Sequence, residues 1–161
     1  MMAFSVAGEI TGRKKLQKII YIAKKINLPF YEKFNFHFYG PYSEELTLRV
    51  EELCNLNFLN EVKEKKGGYV QYRYSLTETG GQFLSHYQLD MPPLDEAIKT
   101  LNEQNARFLE LVSTVLYFDT LPKNEVKDKV FTLKSKQHYT EEEVEEAYVF
   151  IDTLSKQPIP Q

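Results

Sequence analysis

Leu16, Ile19, Ile20, Ala23 and Ile26 recur at helical spacing and predict an amphipathic helix over 13–27, stopped by Leu28-Pro29. Phe34, Phe36 and Phe38 then alternate with Asn35, His37 and Tyr39, the period of a half-buried strand. Gly40-Pro41 reads as a turn. Ser43 suits an N-cap, and Glu44 and Glu45 follow in the first turn, where the helix dipole favours negative charge. Leu46, Val50 and Leu53 form the buried stripe of a helix over 43–56, expected to pack on the 13–27 helix. Residues 58–64 and 69–76 predict an antiparallel hairpin closed at Gly67-Gly68, with Val70, Tyr72, Tyr74 and Leu76 on one face. Thr77 caps a further helix that reaches about Gln88.

The pattern changes at Leu89-Asp90-Met91-Pro92-Pro93, where two prolines mark a boundary. Beyond it the chain reads as helix. Leu94, Ile98, Leu101, Phe108, Leu109, Val112 and Leu116 make a long apolar stripe, and 122–133 forms a short helix. Thr140 and Glu143 have the spacing of a capping box, ahead of a last helix carrying Val144, Ala147, Tyr148, Ile151 and Leu154. The fold class is α+β, mostly α. A winged helix-turn-helix domain is expected over 1–88, with a helical C-terminal extension over 93–156 packed on it and a frayed tail at 157–161.

Length is consistent with that plan. A chain of 161 residues buries roughly 68–70% of its unfolded surface and needs no metal or disulfide to fold. Cys54 is the sole cysteine and reads as a buried thiol. No apolar run reaches transmembrane length and no signal-peptide pattern opens the chain, so a cytoplasmic protein is expected. The formal charge of −3 is uneven: residues 1–88 hold 12 Lys/Arg against 9 Asp/Glu, and residues 89–161 hold 8 against 14. The front half is the better place for an anionic partner, although its excess is far below that of a dedicated DNA binder.

Candidate chemistry adds little. His37, His86 and His138 lie far apart without metal-ligand spacing, and the glutamates of 141–146 read as a solvated helix start. No phosphate-cradling glycine loop or nucleophile elbow is present. No cofactor and no enzymatic activity are expected. His37, Tyr39, Tyr42 and Arg49 would be the polar cluster of a hydrolase, the weakest reading.

Two helix faces point to different partners. Lys14, Lys18, Tyr21 and Lys25 fall opposite the apolar stripe of the 13–27 helix. With Lys63, Lys65, Lys66 and Arg73 of the wing they would suit a nucleic-acid backbone. The 43–56 helix would be the recognition helix of such a module. Its outward side instead carries Glu44, Glu45, Glu51 and Glu52 around Leu48, with Arg49 on the flank placed to pair with Glu45. An apolar residue ringed by charge resembles a protein-contact anchor.

The stretch 12–21, Gly-Arg-Lys-Lys-Leu-Gln-Lys-Ile-Ile-Tyr, and the stretch 36–46, Phe-His-Phe-Tyr-Gly-Pro-Tyr-Ser-Glu-Glu-Leu, resemble the YwgA family of bacilli over most of the chain. More distantly, the Lys-Leu-Gln-Lys helix with its aromatic strand and Gly-Pro is similar to the Panacea, or SocA-like, antitoxin domain. That second resemblance implies a small adaptor or antitoxin that binds a partner protein. The start departs from the family pattern: Met1-Met2-Ala3-Phe4 stands where a longer first helix is expected, so the first helix reads as a stub. A stub would leave the 13–27 helix under-covered, to be closed by a homodimer or, less favoured, by the C-terminal helices.

The leading expectation is a protein-binding adaptor that uses Tyr39, Gly40, Pro41, Tyr42, Ser43, Glu44, Leu48, Glu51 and Glu52. The alternative is a nucleic-acid-binding transcriptional regulator that uses Lys14, Lys18, Tyr21, Lys25, Lys65, Lys66 and Arg73.

Overall fold

The computed structural model describes residues 1–37, 40–86 and 95–155. The expected boundary at 89–93, the tail at 157–161, and the calls on Phe38, Tyr39 and Leu94 lie outside the described residues.

The fold is α+β and mostly helical. A short helix, α1 (Met2–Ala7), leads through Gly8 into strand β1 (Glu9–Thr11) and the long helix α2 (Arg13–Lys25). Strands β2 (Asn35–His37) and β3 (Gly40–Tyr42) form a small antiparallel pair ahead of α3 (Glu44–Asn55). The hairpin β4 (Leu59–Lys66) and β5 (Tyr69–Leu76) precedes α4 (Glu78–Ser85). The remaining helices are α5 (Asp95–Glu103), α6 (Ala106–Tyr117), α7 (Lys123–Leu133) and α8 (Glu141–Ser155).

The hairpin closes through Gly67-Gly68, with Lys66 opposite Tyr69 and Gly67 at φ 58°. A two-residue turn of that hand matches the twist of the strands it joins. β1 adds to the other edge of β5, giving the antiparallel order β1-β5-β4. This third strand has no signal in the local pattern, because three residues are too few to show alternation. The inner end of the sheet is anchored by buried Ile10, Leu59 and Tyr74, while the hairpin tip projects with both faces exposed.

Helix caps form as the sequence dictates. Ser43 Oγ accepts from Leu46 N at 3.0 Å, and Thr77 Oγ1 accepts from Gly80 N at 2.9 Å. Thr140 and Glu143 exchange backbone and side-chain hydrogen bonds, both at 3.1 Å. That reciprocal box satisfies donors a helix start otherwise leaves unpaired. Gly80 sits against the Phe58 carbonyl, in space that a β-carbon would occupy.

One correction concerns α2. The stretch from Leu16 to Ala23 is buried throughout, Gln17, Lys18 and Tyr21 included. The helix lies inside the molecule, against α6, α5, β1 and β3. Its cover comes from helices and strands of the same chain, so among the described residues α2 has no under-covered face of the kind that motivated a dimer. A second correction concerns Gly40-Pro41: both belong to strand β3 and are buried, and Gly40 packs on Lys18 and Ser113 with φ 95°. A third concerns α3. Leu46 and Val50 are buried as expected, but Leu53 and Cys54 are half-buried. Arg49 pairs with Glu52 at 3.1 Å rather than with Glu45.

Candidate interaction face and cleft

α3 presents two different sides. Its inner side faces α2 across an open cleft, and the Ser43 end of the pair is tied down. There the Gln17 amide donates to Ser43 O at 3.0 Å and accepts from Ser43 N at 2.8 Å. Gln17 also donates to Thr47 Oγ1 at 3.1 Å, and that hydroxyl shares a 2.8 Å hydrogen bond with Tyr42. Beyond this clamp, whose Gln17, Tyr42 and Thr47 line one end of the opening, the helices part toward Tyr74 of β5. The resulting cavity, about 250 Å³, has Leu16, Leu46 and Val50 among its lining residues.

Arg13, Tyr74 and Glu61 form a polar chain beside the cavity. Arg13 Nε donates to the Tyr74 hydroxyl at 3.1 Å, and that hydroxyl donates to Glu61 at 2.7 Å. The guanidinium lies over the Tyr72 ring, with Cζ 3.6 Å from the centroid. Burial, with the hydrogen bond to Glu61, holds the Tyr74 hydroxyl above its ordinary pKa.

The outer side of α3 is a different surface. Glu44, Leu48 and Glu52 are exposed there, as the sequence predicts, with Leu48 58% exposed; Glu51 is exposed as well, but on the flank that also lines the cleft. Leu56, at the C-terminal end of α3, is 61% exposed, and sequence reasoning did not include it. The other expected contact residues do not join this face. Gly40, Pro41 and Ser43 are buried, and Tyr42 is half-buried with its ring centroid 5.0 Å from that of His37. The reason is physical: the segment forms a strand on α2 and α6 instead of an exposed turn. Tyr39 lies outside the described residues.

The expected outward lysine face is also corrected. Lys18 is 3% exposed and donates to the Pro41 carbonyl at 2.9 Å. Burial lowers its pKa to about 8, while Glu110 acts in the opposite direction. Tyr21 is buried edge-on against Phe34, with centroids 5.1 Å apart. Lys25 is half-buried and pairs with Asp119 at 3.3 Å. Lys14 alone of the four is exposed. On the hairpin, Arg73 pairs with Glu64 and, at 3.3 Å, with Glu9; Lys66 pairs with Glu64 at 3.3 Å. Lys63 and Lys65 are exposed.

No helix of the described residues is long and apolar enough to cross a membrane. No family model matches the chain. A Bacillus subtilis (strain 168) protein described as "Uncharacterized protein YwgA" is 67% identical over 156 residues, covering 97% of this chain and 94% of that one. The chain belongs to the YwgA family. The match spans the sheet half and the helical half alike. That agrees with a core to which buried residues of both halves contribute, from Ile10 and Ile19 to Leu109 and Val144.

Proposed function

We propose that this YwgA-family chain is a protein-binding adaptor built on a winged-helix module over 1–88, with the outer face of α3 as its contact surface. The order helix, strand, helix, helix, hairpin supports the module, with β4–β5 as the wing and β2–β3 as an insertion between the second and third helices. The antitoxin-like role implied by the Panacea resemblance is one form such an adaptor takes.

The observation that carries the reading is the exposure of Leu48 among Glu44, Glu51 and Glu52 on the helix that would otherwise enter a DNA groove. Each of these carboxylates would oppose a nearby phosphate by roughly 1 kcal/mol even in water. An exposed leucine gains by burial against an apolar partner surface, while the surrounding carboxylates form a polar rim. The burial of Lys18 and Tyr21 adds weight, since it withdraws two of the groups a phosphate backbone would need.

The test is affinity capture with wild type, Leu48→Asp, and a variant with Lys63, Lys65 and Lys66 changed to Gln, with nuclease treatment in parallel. Capture of one protein, resistant to nuclease, lost in Leu48→Asp and kept in the lysine variant, is expected. Salt-sensitive binding of purified protein to duplex DNA or RNA, lost in the lysine variant, would overturn the reading in favour of a nucleic-acid-binding regulator.

A further inference from the structure

The α2–α3 cleft is a cavity that the adaptor reading leaves unused. Its lining combines an apolar floor with a surplus of positive charge. Leu16, Leu46 and Val50 supply the floor. Arg13, Lys14 and Lys18 line it against two carboxylates, Glu51 and Glu61. Glu61 is already engaged, accepting from Tyr74 at 2.7 Å and lying 3.5 Å from an Arg13 nitrogen.

Arg13 is held in place before any ligand arrives. The Tyr72 ring lies under its guanidinium, and the Tyr74 hydroxyl accepts from its Nε. A guanidinium has five N–H donors in a rigid fork, and Arg13 keeps donors beyond the Nε that Tyr74 uses and the Nη2 that faces Glu61 at 3.5 Å. A pre-oriented guanidinium loses little freedom when it grips a carboxylate, which favours binding. The cavity, about 250 Å³, is smaller than the ~300–1,000 Å³ of drug-sized sites, so its occupant is a small molecule.

We propose that the cleft binds a small organic monocarboxylate, with its apolar body on Leu16, Leu46 and Val50 and its carboxylate on Arg13. The apolar floor distinguishes this from a site for inorganic anions, which gain nothing from burying leucine. The surplus of cations distinguishes it from a site for amines. Because the cleft lies between α2 and α3, an occupant joins the two helices beside the Gln17 clamp, whose Gln17 and Thr47 border the same cavity.

The probes are 3-phenylpropionate, its primary amide, 3-phenylpropylamine and inorganic phosphate, each at up to about 10 mM, which detects binding near the weak end of the affinity scale. Amide chemical shifts and thermal unfolding are the readouts, on the full chain. The carboxylate is expected to shift resonances of 13–18 and 46–50 and to raise the unfolding temperature, with the amide, the amine and phosphate failing to do so. Arg13→Gln should weaken carboxylate binding by roughly tenfold or more, the usual size of a charge-assisted hydrogen bond. Val50→Phe, which fills the floor and keeps Arg13, should abolish it, so the idea stays testable even if Arg13→Gln does not fold. Equal binding of acid and amide, a preference for phosphate or amine, shifts confined to other surfaces, or no binding by any probe would overturn the proposal. None of those outcomes bears on Leu48, so failure here and failure of the adaptor reading are distinguishable.

Discussion

The Gln17 side chain grips the Ser43 backbone from both directions: its Nε2 donates to Ser43 O at 3.0 Å and its Oε1 accepts from Ser43 N at 2.8 Å. Both residues are buried, Ser43 fully so. The pair fixes where α3 begins relative to α2, and so sets the width of the cleft and the direction of the outer face. Gln17→Leu fits the space but leaves a buried N–H without its partner and takes one donor from the carbonyl. The carbonyl keeps its donors from Thr47, so one group is left unsatisfied, at a cost of about 1–3 kcal/mol, and a loss of that size is expected in urea unfolding.

Two adjacent glycines of α4 should behave oppositely. A β-carbon on Gly80 would collide with the Phe58 carbonyl, which is backbone and cannot swing away. A β-carbon on Gly81 meets nothing within 4 Å. Gly80→Ala is therefore expected to destabilise by about 2 kcal/mol or more, on the scale of overpacked cores. Gly81→Ala should stabilise by up to about 1 kcal/mol, the helix propensity gain. Paired chemical-denaturation curves check both signs.

Lys18 gives the protein an alkaline signature. Burial lowers its pKa to about 8, against 10.5 for a free lysine. Between those values the unfolded chain holds a proton that the folded chain has released. More protons on the unfolded state means that stability rises with pH across that window. The contribution is on the order of 3 kcal/mol, at 1.36 kcal/mol per unit. Above pH 10 the sign reverses, because burial raises the Tyr21, Tyr74 and Tyr139 hydroxyls above the unfolded value and their stabilising contribution is lost as pH rises. Cys54, also raised by burial, opposes Lys18 from about pH 9 upward. The difference between wild type and Lys18→Met isolates the lysine: urea midpoints at pH 8, 9 and 10 should rise less steeply in the variant.

The sequence made the local pieces legible wherever one or two residues determine them. Ser43, Thr77 and Thr140 cap where their side chains can reach a free N–H, and Gly67-Gly68 closes a two-residue turn. The α3 glutamates were legible because a short helix with one apolar stripe has one way to lie. Lys18 and Tyr21 misled for the converse reason. Periodicity finds the stripe that is buried first, and it cannot report that α6 and β3 cover the opposite side. A lysine stem is apolar along most of its length, and a single carbonyl, here that of Pro41, can receive its ammonium. Gly40-Pro41 misled because a glycine with positive φ inside a short strand pair has the same composition as a turn. The cleft was not legible at all, since it depends on the angle at which α3 leaves the Gln17 clamp.

The adaptor reading is tested most directly by a photo-crosslinking residue at position 48, introduced in place of Leu48 in living cells. One discrete protein adduct is expected, absent when the crosslinker is moved to the buried position 46 and lost when Glu44 and Glu52 are both changed to Lys. Adducts with nucleic acid at position 48, or no protein adduct there while a crosslinker at Lys65 captures nucleic acid, would contradict it.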